Sequence, residues 1–242
     1  MSEKDNLYTN SMLNDADFVF DERVVRVFPD MINRSVPGYG LALQLLGPIA
    51  GRYVQQDSTV YDLGCSLGAA TLSMCQAVKK TGVRFVAVDN SPVMIEQARQ
   101  RITRDESLSP VEFVLGDICQ CRFENASMTV LNFTLQFIDP KERLPLLRRI
   151  ATGTRAGGIL VLSEKLRFDD PMEQELQTRL HHDFKRNQGY SELEIAAKRN
   201  ALERVLKPDT EKEHRERLRA AGWHTTVRCF QAFNFVSYLA CR

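Results

Sequence analysis

The stretch VYDLGCSLG, residues 60–68, decides the fold of this chain. Its first four residues predict the apolar end of a buried strand, while Gly64 and Gly68 let the backbone turn and approach a ligand closely. The following AATLSMCQAV has helical spacing. A strand that passes through a glycine loop into a helix is an arrangement that binds nucleotides, and Asp62 in the strand could bind a polar tail of the same ligand. Because short glycine patterns also occur in ordinary tight turns, the rest of the sequence must decide.

The composition is that of an ordinary globular protein. With 242 residues, 43% of them hydrophobic, the chain can bury a full core, and its length suits one domain with an insertion or one and a half domains. The formal net charge of +1 provides no overall field for nucleic acid, so we predict no direct nucleic-acid binding. No apolar run approaches the ~20 residues of a membrane span. We therefore expect a soluble, cytoplasmic protein with no membrane partner.

The cysteines and histidines do not predict a metal site. The six cysteines lie far apart except for Cys119 and Cys121, whose spacing matches neither zinc sites nor redox pairs, so we expect free thiols. His181 and His182 are adjacent rather than four residues apart. This spacing favours helix-surface or dimer contacts over metal ligation.

Strands and helices alternate through the middle of the chain. Four strand-like runs follow the opening loop: RFVAVD (84–89), VEFVLGD (111–117), SMTVLNFTL (127–135) and GGILVLSE (157–164). Ser91 and Pro92 are the expected N-cap and first helical residue after the second strand, and KERLPLLRRIATG predicts a helix before the last one. This alternation predicts a parallel sheet with helices on both faces and a ligand crevice at the carboxyl ends of the strands.

The flanks of this core (56–164) are predicted to be helical, within a single domain of residues 1–242. Residues 1–55 predict N-terminal cap helices, of which the second, LALQLLGPIAGRYV, has Pro48 at a position for a kink or break. The charged residues 165–207 predict a helical insertion that covers the site or forms a dimer arm. Residues 208–242 predict a closing helix that ends at Gly222 and a hairpin that turns near 232–234. The apolar residues expected to pack the first cap helix are Phe18, Phe20, Val24, Val27 and Phe28.

Several of these features together resemble the class I S-adenosylmethionine-dependent methyltransferase fold. They are Asp62-x-Gly64 on the first strand, an acid that ends the second, Gly-Asp after the third, a Thr-Arg-Ala-Gly-Gly turn before the fifth, and the final hairpin. The hairpin distinguishes the pattern from that of a dehydrogenase. The resemblance implies an α/β fold with a seven-stranded, mostly parallel sheet and an antiparallel terminal hairpin. One departure is Ser66, which occupies the middle small position of the glycine loop and could add a hydroxyl ligand at some steric cost.

Longer strings resemble the carboxy-S-adenosyl-L-methionine synthase family nearly end to end. The strings are FDERV, VFPDMINRSVPGY, VYDLGCSLGAATLS, NASMTVLNFTLQF, LSEK, HHDFKR, NQGYSELEI and KRNALE. The resemblance implies a homodimeric enzyme that uses prephenate to convert S-adenosyl-L-methionine into carboxy-S-adenosyl-L-methionine, with release of phenylpyruvate. A partner enzyme, a tRNA carboxymethyltransferase, then uses the product to modify the wobble uridine of tRNA. In this reaction a proton leaves the sulfonium methyl, carbon dioxide from prephenate joins the resulting carbanion, and the hydroxide expelled from prephenate could accept the proton.

Within this fold, the strand ends offer ligands for each part of the cofactor. Asp89 ends the second strand, where an acid ~20 residues beyond a glycine loop binds ribose hydroxyls, although it could instead cap the next helix. Asn90 could contact the adenine or only turn the chain. Asp117 and Ile118 follow the third strand, where a carboxylate can accept from the adenine amino group and a backbone amide can face a ring nitrogen. The alternative for Asp117 is a solvent-facing turn.

The amino-acid end of the cofactor is expected at the glycine loop. Gly64, Cys65 and Ser66 would present their backbone there, and Cys65 would not act as a nucleophile because the nearby sequence offers it no histidine. The resemblance makes Asn132, at the end of the fourth strand, a cofactor ligand, although it could only satisfy strand-end amides. The chain continues from Asn132 with Phe-Thr-Leu, which weakens a nucleobase-methylase interpretation. Tyr39 also matches a cofactor-contacting position, where its ring could attract a sulfonium; a packed core tyrosine is the alternative.

Arg199 would distinguish carboxylation from methylation. Its position alone favours a solvated helix face, but the resemblance implies that it binds the new carboxylate, which a guanidinium can hold with two parallel hydrogen bonds. With Tyr39 it forms the predicted catalytic pair. Lys185 and Arg186 could attract the two carboxylates of prephenate, or they could be a solvated charge run. The competing functions are an ordinary methyltransferase for a small molecule or RNA, and a non-catalytic cofactor-binding subunit of a tRNA-modifying complex.

Overall fold

The structure is a computed structural model that describes residues 5, 7, 22–104, 108–203 and 205–242. The strands of this part of the chain are β1 (Thr59–Leu63), β2 (Arg84–Asp89), β3 (Val111–Leu115), β4 (Ala126–Asn132), β5 (Thr154–Lys165), β6 (Thr225–Ala232) and β7 (Phe235–Cys241). They form one sheet in the order β3-β2-β1-β4-β5-β7-β6. Strands β1 to β5 are parallel to their neighbours, whereas β7 is antiparallel to both β5 and β6. The predicted mostly parallel sheet with a terminal antiparallel hairpin is confirmed.

Helices cover both faces of this sheet and extend beyond it. Their bounds are α1 (Glu22–Ser35), α2 (Tyr39–Tyr53), α3 (Ala69–Ala77), α4 (Pro92–Ile102), α5 (Pro140–Gly153), α6 (Pro171–Asn187), α7 (Glu192–Glu203) and α8 (Glu211–Ala220). Every residue of β1 is buried, as a strand with helices on both faces requires. On one face the core contains Leu46 and Met74, and on the other it contains Leu146 and Trp223.

Local sequence signals explain where several helices begin and end. The Ser91 hydroxyl accepts a hydrogen bond from the Met94 amide at 3.4 Å, and Pro92 is the first residue of α4, as predicted. Gly222, with φ of 100°, follows the end of α8. Pro48 neither ends nor divides α2, which continues to Tyr53.

The strand boundaries predicted on either side of α5 were wrong. Strand β4 ends at Asn132 rather than at residue 135, because Phe133 adopts φ of 62° and a 3-10 turn follows at residues 135–137. Strand β5 already begins at Thr154, so the Thr-Arg-Ala-Gly-Gly segment is an irregular start of the strand and not a turn before it. The pairing with β4 shifts there, where Gly157 has φ of 74°.

The N-terminal helices and the insertion meet above the carboxyl ends of the strands. Val24, Val27 and Phe28 are buried on α1, whereas Phe18 and Phe20 lie outside the described residues. The insertion consists of α6 and α7 and leaves the sheet directly after β5. Its return is held by a bridge between residues 166 and 209 and by the Arg143–Asp209 ion pair at 2.5 Å, in which the Arg143 side chain is 1% exposed. None of the helices in the described ranges is long and apolar enough to cross a membrane.

Candidate functional site

A cavity of about 670 Å³ lies at the carboxyl ends of the strands, between the sheet, the N-terminal helices and the insertion. This is the place where open parallel sheets bind their ligands. The ten residues predicted from the sequence to contact the cofactor all line this cavity: Tyr39, Gly64, Cys65, Ser66, Asp89, Asn90, Asp117, Ile118, Asn132 and Arg199. The fold therefore brings residues from six separate segments of the chain to one cavity.

Asp62 forms the inner end of the cavity. The side chain is 2% exposed, and one carboxylate oxygen accepts a hydrogen bond from the Thr71 hydroxyl at 2.5 Å. The other oxygen, Oδ1, has no hydrogen-bond partner among the described residues. Burial raises the pKa of Asp62 to about 6. A buried acceptor without a partner fits a cationic donor such as the α-ammonium group of S-adenosylmethionine.

The loop after β1 brings its backbone against Asp89. The Ser66 amide donates a hydrogen bond to Asp89 Oδ2 at 2.8 Å, and the Ser91 amide donates to Oδ1 at 2.9 Å. Because Ser91 caps α4, Asp89 is not the helix cap, and its remaining acceptor capacity is available to ribose hydroxyls. Ser66 adopts φ of 50°, a left-handed backbone conformation that carries the steric cost predicted for a non-glycine residue at this position.

The backbone at Gly64 leaves no room for a side chain. Gly64 has φ of 76°, and a Cβ atom there would lie 2.5 Å from the Thr134 side chain. The next residue, Cys65, is buried, and burial raises the pKa of its thiol. A thiol held in its neutral form is a poor nucleophile, in agreement with a backbone role for Cys65.

The other predicted residues surround the middle of the cavity. Asp117 caps the 3-10 turn at residues 118–120 through the Cys119 amide at 2.8 Å, with Ile118 buried beside it. Asn132 ends β4, and the Tyr39 ring centroid lies 6.2 Å from that of Phe133. Burial and the Asp62 carboxylate raise the pKa of Tyr39, so its hydroxyl remains protonated.

The opposite wall of the cavity is basic, and the sequence analysis found only part of it. Lys165 at the end of β5, His181 and Lys185 on α6, and Lys198 and Arg199 on α7 all line the cavity. The sequence signal for the two residues on α6 is a polar stripe at helical spacing, formed by Gln174, Thr178, His181 and Lys185. We found no group of His, Cys, Asp and Glu able to hold a metal ion within the described ranges.

The structure corrects two predictions made from the sequence for residues on α6. His181 is 5% exposed and contacts the Ser35 carbonyl oxygen through Nε2 at 2.8 Å, so the prediction of a helix-surface position for it was wrong. Lys185 and Arg186 do not act together, because Lys185 is buried at the cavity whereas the Arg186 side chain is 43% exposed and ion-paired with Asp183 and Glu192.

Known proteins are similar to this chain over nearly its whole length. Residues 60–158 match the protein family described as "Methyltransferase domain". A protein of Trichlorobacter lovleyi named carboxy-S-adenosyl-L-methionine synthase is 53% identical over 237 residues, which are 98% of this chain and 97% of the relative. One of the same name from Erwinia tasmaniensis is 52% identical over 240 residues, 99% of this chain and 98% of the relative.

Solved structures share the fold at low sequence identity. The S-adenosylmethionine-dependent methyltransferase SibL, in its apo form, matches with a TM-score of 0.63 at 17% identity over 91% of this chain and 58% of SibL. Human N-acetylserotonin methyltransferase, solved in complex with S-adenosylmethionine, matches with a TM-score of 0.61 at 16% identity over 91% of this chain and 55% of its own. At these identities the likeness shows the fold alone.

Proposed function

This chain belongs to the carboxy-S-adenosyl-L-methionine synthase family, and we propose that it converts S-adenosyl-L-methionine and prephenate into carboxy-S-adenosyl-L-methionine and phenylpyruvate. The single observation that carries the proposal is that two groups of charged residues line one cavity: carboxylates at the ends of β1, β2 and β3, the acidic wall of Asp62, Asp89 and Asp117, and cations from β5 and the insertion, the basic wall that includes Arg199. Such a division suits one cationic and one anionic substrate bound side by side.

The acidic wall is suited to S-adenosyl-L-methionine, whose sulfonium activates the methyl group that receives the carboxyl. Asp62 would bind the ammonium group, Asp89 the ribose hydroxyls, and Asp117 and the Ile118 amide the adenine. The Gly64 backbone conformation lets the amino-acid end approach the loop closely. These residues bind and orient, and nothing in this wall has to act as a base.

On the other side, Arg199 would bind the carboxylate that is gained. Arg199 lines the cavity from α7, and a guanidinium can form two charged hydrogen bonds with one carboxylate. Tyr39 completes the predicted pair from the beginning of α2, where burial keeps its hydroxyl protonated. The insertion covers the cavity and limits the access of water, which strengthens both sets of charged contacts.

The partners of the enzyme are part of the same proposal. We propose that it acts in the cytoplasm as a homodimer and supplies the carboxymethyl donor to a tRNA carboxymethyltransferase without binding tRNA itself. Three large apolar side chains on the insertion support the dimer, since Met172, Leu176 and Leu193 are 79%, 48% and 58% exposed. Sedimentation of the wild type and of Leu193→Glu tests it, with a shift from dimer to monomer expected in the variant.

Mass spectrometry tests the reaction. Incubation of the protein with S-adenosyl-L-methionine and prephenate should yield a nucleoside product that is heavier by one carboxyl group, together with phenylpyruvate. Omission of prephenate should abolish the product. A methylated acceptor with no carboxylated product would instead show an ordinary methyltransferase, and binding of the nucleoside without either product would show a non-catalytic subunit.

A further inference from the structure

A stripe of polar side chains on α6 faces the cavity. Gln174, Thr178, His181 and Lys185 recur at intervals of four, three and four residues, so the helical period places them on one face. All four line the cavity. The inward face of a helix is ordinarily apolar, and a polar one is stable only where its groups find polar partners. The stripe therefore indicates a polar ligand at this wall.

Lys185 has the strongest requirement for such a ligand. The residue is 6% exposed, and its ammonium forms no hydrogen bond or ion pair with any residue that the structure describes. The charges that act on it most, Lys165 and Lys198, are also positive. Burial and these two neighbours lower the pKa of Lys185 to about 7. A buried ammonium among like charges is costly unless an anion binds beside it.

An aromatic surface adjoins these cations. Lys165 on β5 is the direct neighbour of Phe235 on β7 in the antiparallel register. The Phe235 ring centroid lies 5.0 Å from that of His181 and 5.9 Å from that of Phe133. His181 contacts the Ser35 carbonyl oxygen and has a strongly lowered pKa because of burial and Lys185, so it is a neutral ring that adds to this surface. The Phe235 ring meets those of His181 and Phe133 edge to face, with interplanar angles of 73° and 74°, so cationic groups and an aromatic cluster line the cavity together.

We propose that Lys165, His181, Lys185 and Phe235, the basic–aromatic face, bind the second, acidic substrate. Lys165 and Lys185 bind its carboxylates, and Phe235 and His181 pack against its ring. This inference rests on the proposed function and locates one of its substrates, because prephenate is a small ring that bears two carboxylates. The carboxylates of Asp62, Asp89 and Asp117 repel such a dianion from the opposite wall, so electrostatics sorts the two substrates within one cavity.

Arg186 supplies a matched control. It follows Lys185 on the same helix and carries the same charge, but it is exposed and ion-paired with Asp183 and Glu192. Its replacement changes the net charge of the protein as the replacement of Lys185 does. A difference in prephenate affinity between the two variants is therefore due to the position of Lys185 in the cavity and not to the net charge of the protein.

Calorimetric titration of prephenate into protein saturated with S-adenosyl-L-homocysteine tests the assignment. This nucleoside lacks the methyl group, so no reaction takes place during the titration. We expect Lys185→Met and Lys165→Met each to weaken prephenate binding by about 10- to 100-fold, as the loss of a charged hydrogen bond does. Binding of the nucleoside should change by less than about threefold, since most of its contacts are with the other wall. Arg186→Met should match the wild type, and Lys185→Arg should recover most of the affinity.

The outcomes separate this assignment from the proposed reaction. Equal prephenate affinity in the wild type, Lys185→Met and Lys165→Met overturns the basic–aromatic face, whether or not the wild type forms the carboxylated product. Absence of prephenate binding in the wild type overturns it as well. Binding that depends on Lys185, with no carboxylated product under any condition, leaves the face in place and overturns the reaction. Should one lysine variant fail to fold, as judged by its melting curve, the other decides.

Discussion

Lys198 and Asp5 form a buried ion pair between the insertion and the N-terminal segment, although 193 residues separate them in the chain. Their side chains are 4% and 1% exposed. The Tyr190 hydroxyl donates a hydrogen bond to the same carboxylate, and the Lys198 ammonium lies 4.0 Å from the centre of the Tyr190 ring. Burial alone would raise the pKa of Asp5, but the Lys198 ammonium, together with hydrogen bonds from the Tyr190 hydroxyl and the Leu7 amide, outweighs burial and lowers it. Since Arg199 is the next residue, this pair positions the part of α7 from which Arg199 lines the cavity.

Asp5→Asn should therefore destabilise the protein and impair the position of Arg199. The substitution removes the carboxylate of a buried ion pair, which costs about 3 kcal/mol and lowers the melting temperature by about 6–12 °C. Glu216→Gln is the control, because its ion pair with Lys212 at 4.0 Å is exposed and should contribute less than about 1 kcal/mol. Similar melting temperatures for Asp5→Asn and Glu216→Gln would contradict the structural role of the buried pair.

Arg199→Leu should remove the preference for the carboxylated nucleoside. The guanidinium adds charged hydrogen bonds only to the ligand that carries the extra carboxylate, so the ratio of the two dissociation constants should fall by about 10- to 100-fold. Binding of plain S-adenosyl-L-methionine and the melting temperature should stay near the wild-type values. Competition binding with both nucleosides measures the ratio. An unchanged ratio in the variant would exclude Arg199 from the site.

Affinity for S-adenosyl-L-homocysteine should fall as the pH is lowered through about 6. The raised pKa of Asp62, about 6, means that its carboxylate is ionised above this pH and protonated below it, where it no longer attracts the ammonium group. Asp89 faces the same ligand and also has a raised pKa, mainly because of burial, so its protonation would add to the loss. Asp62→Asn should weaken binding at pH 7.5 and flatten the profile. Asp169→Asn, whose side chain is 72% exposed, should retain the wild-type profile.

Lys185→Met should stabilise the protein without its ligands. A pKa of about 7 in the folded protein, against 10.5 for an ordinary lysine, means that folding buries a charge at a cost. That cost is complete below pH 7 and declines as the pH rises towards 10.5. We expect the variant to melt roughly 4–8 °C above the wild type at pH 6, with a smaller difference at pH 9. A lower melting temperature at pH 6 would mean that the ammonium has a stabilising partner.

Gly64→Ala should abolish nucleoside binding and destabilise the loop. The substitution places a methyl group 2.5 Å from Thr134 and imposes φ of 76° on a residue that disfavours it. Gly51→Ala is the control. Gly51 lies on the exposed side of α2, where the nearest atom to an added Cβ is 3.7 Å away, so the substitution should add up to about 1 kcal/mol of helix stability. Normal nucleoside binding by Gly64→Ala would contradict a close approach of the ligand to this loop.

The sequence predicted most of the residues that line the cavity at the ends of β1, β2 and β3, because each of them follows a recognisable strand. Asp62, Gly64 and Asp89 are marked by apolar runs that end in glycine or acid, and these signals are local. The C-terminal end of β4 was predicted wrongly because Phe133 belongs to a turn that is stabilised by contacts with residues distant in the sequence. There the Leu135 amide donates to the buried Glu164 side chain at 2.9 Å, and the Phe133 amide donates to the Ser163 carbonyl at 2.8 Å.

The basic wall was predicted less completely, because its residues depend on which side of α6 faces the cavity. Lys185 and Arg186 are adjacent basic residues on one helix, and the rotation of α6 against the sheet buries Lys185 and exposes Arg186. Because of the same rotation, His181 lines the cavity and does not lie on the surface, where the sequence placed it.

By itself, the sequence determined the order of strands and helices, the loop at residues 60–68 and the family, because apolar periodicity, glycines and caps act over a few residues at a time. The tertiary structure alone decided that Lys165, Lys185 and Phe235 share one wall and that Asp5 pairs with Lys198. These relationships join residues tens to nearly two hundred positions apart. They depend on how the insertion packs over the sheet, and no local pattern in the chain encodes that packing.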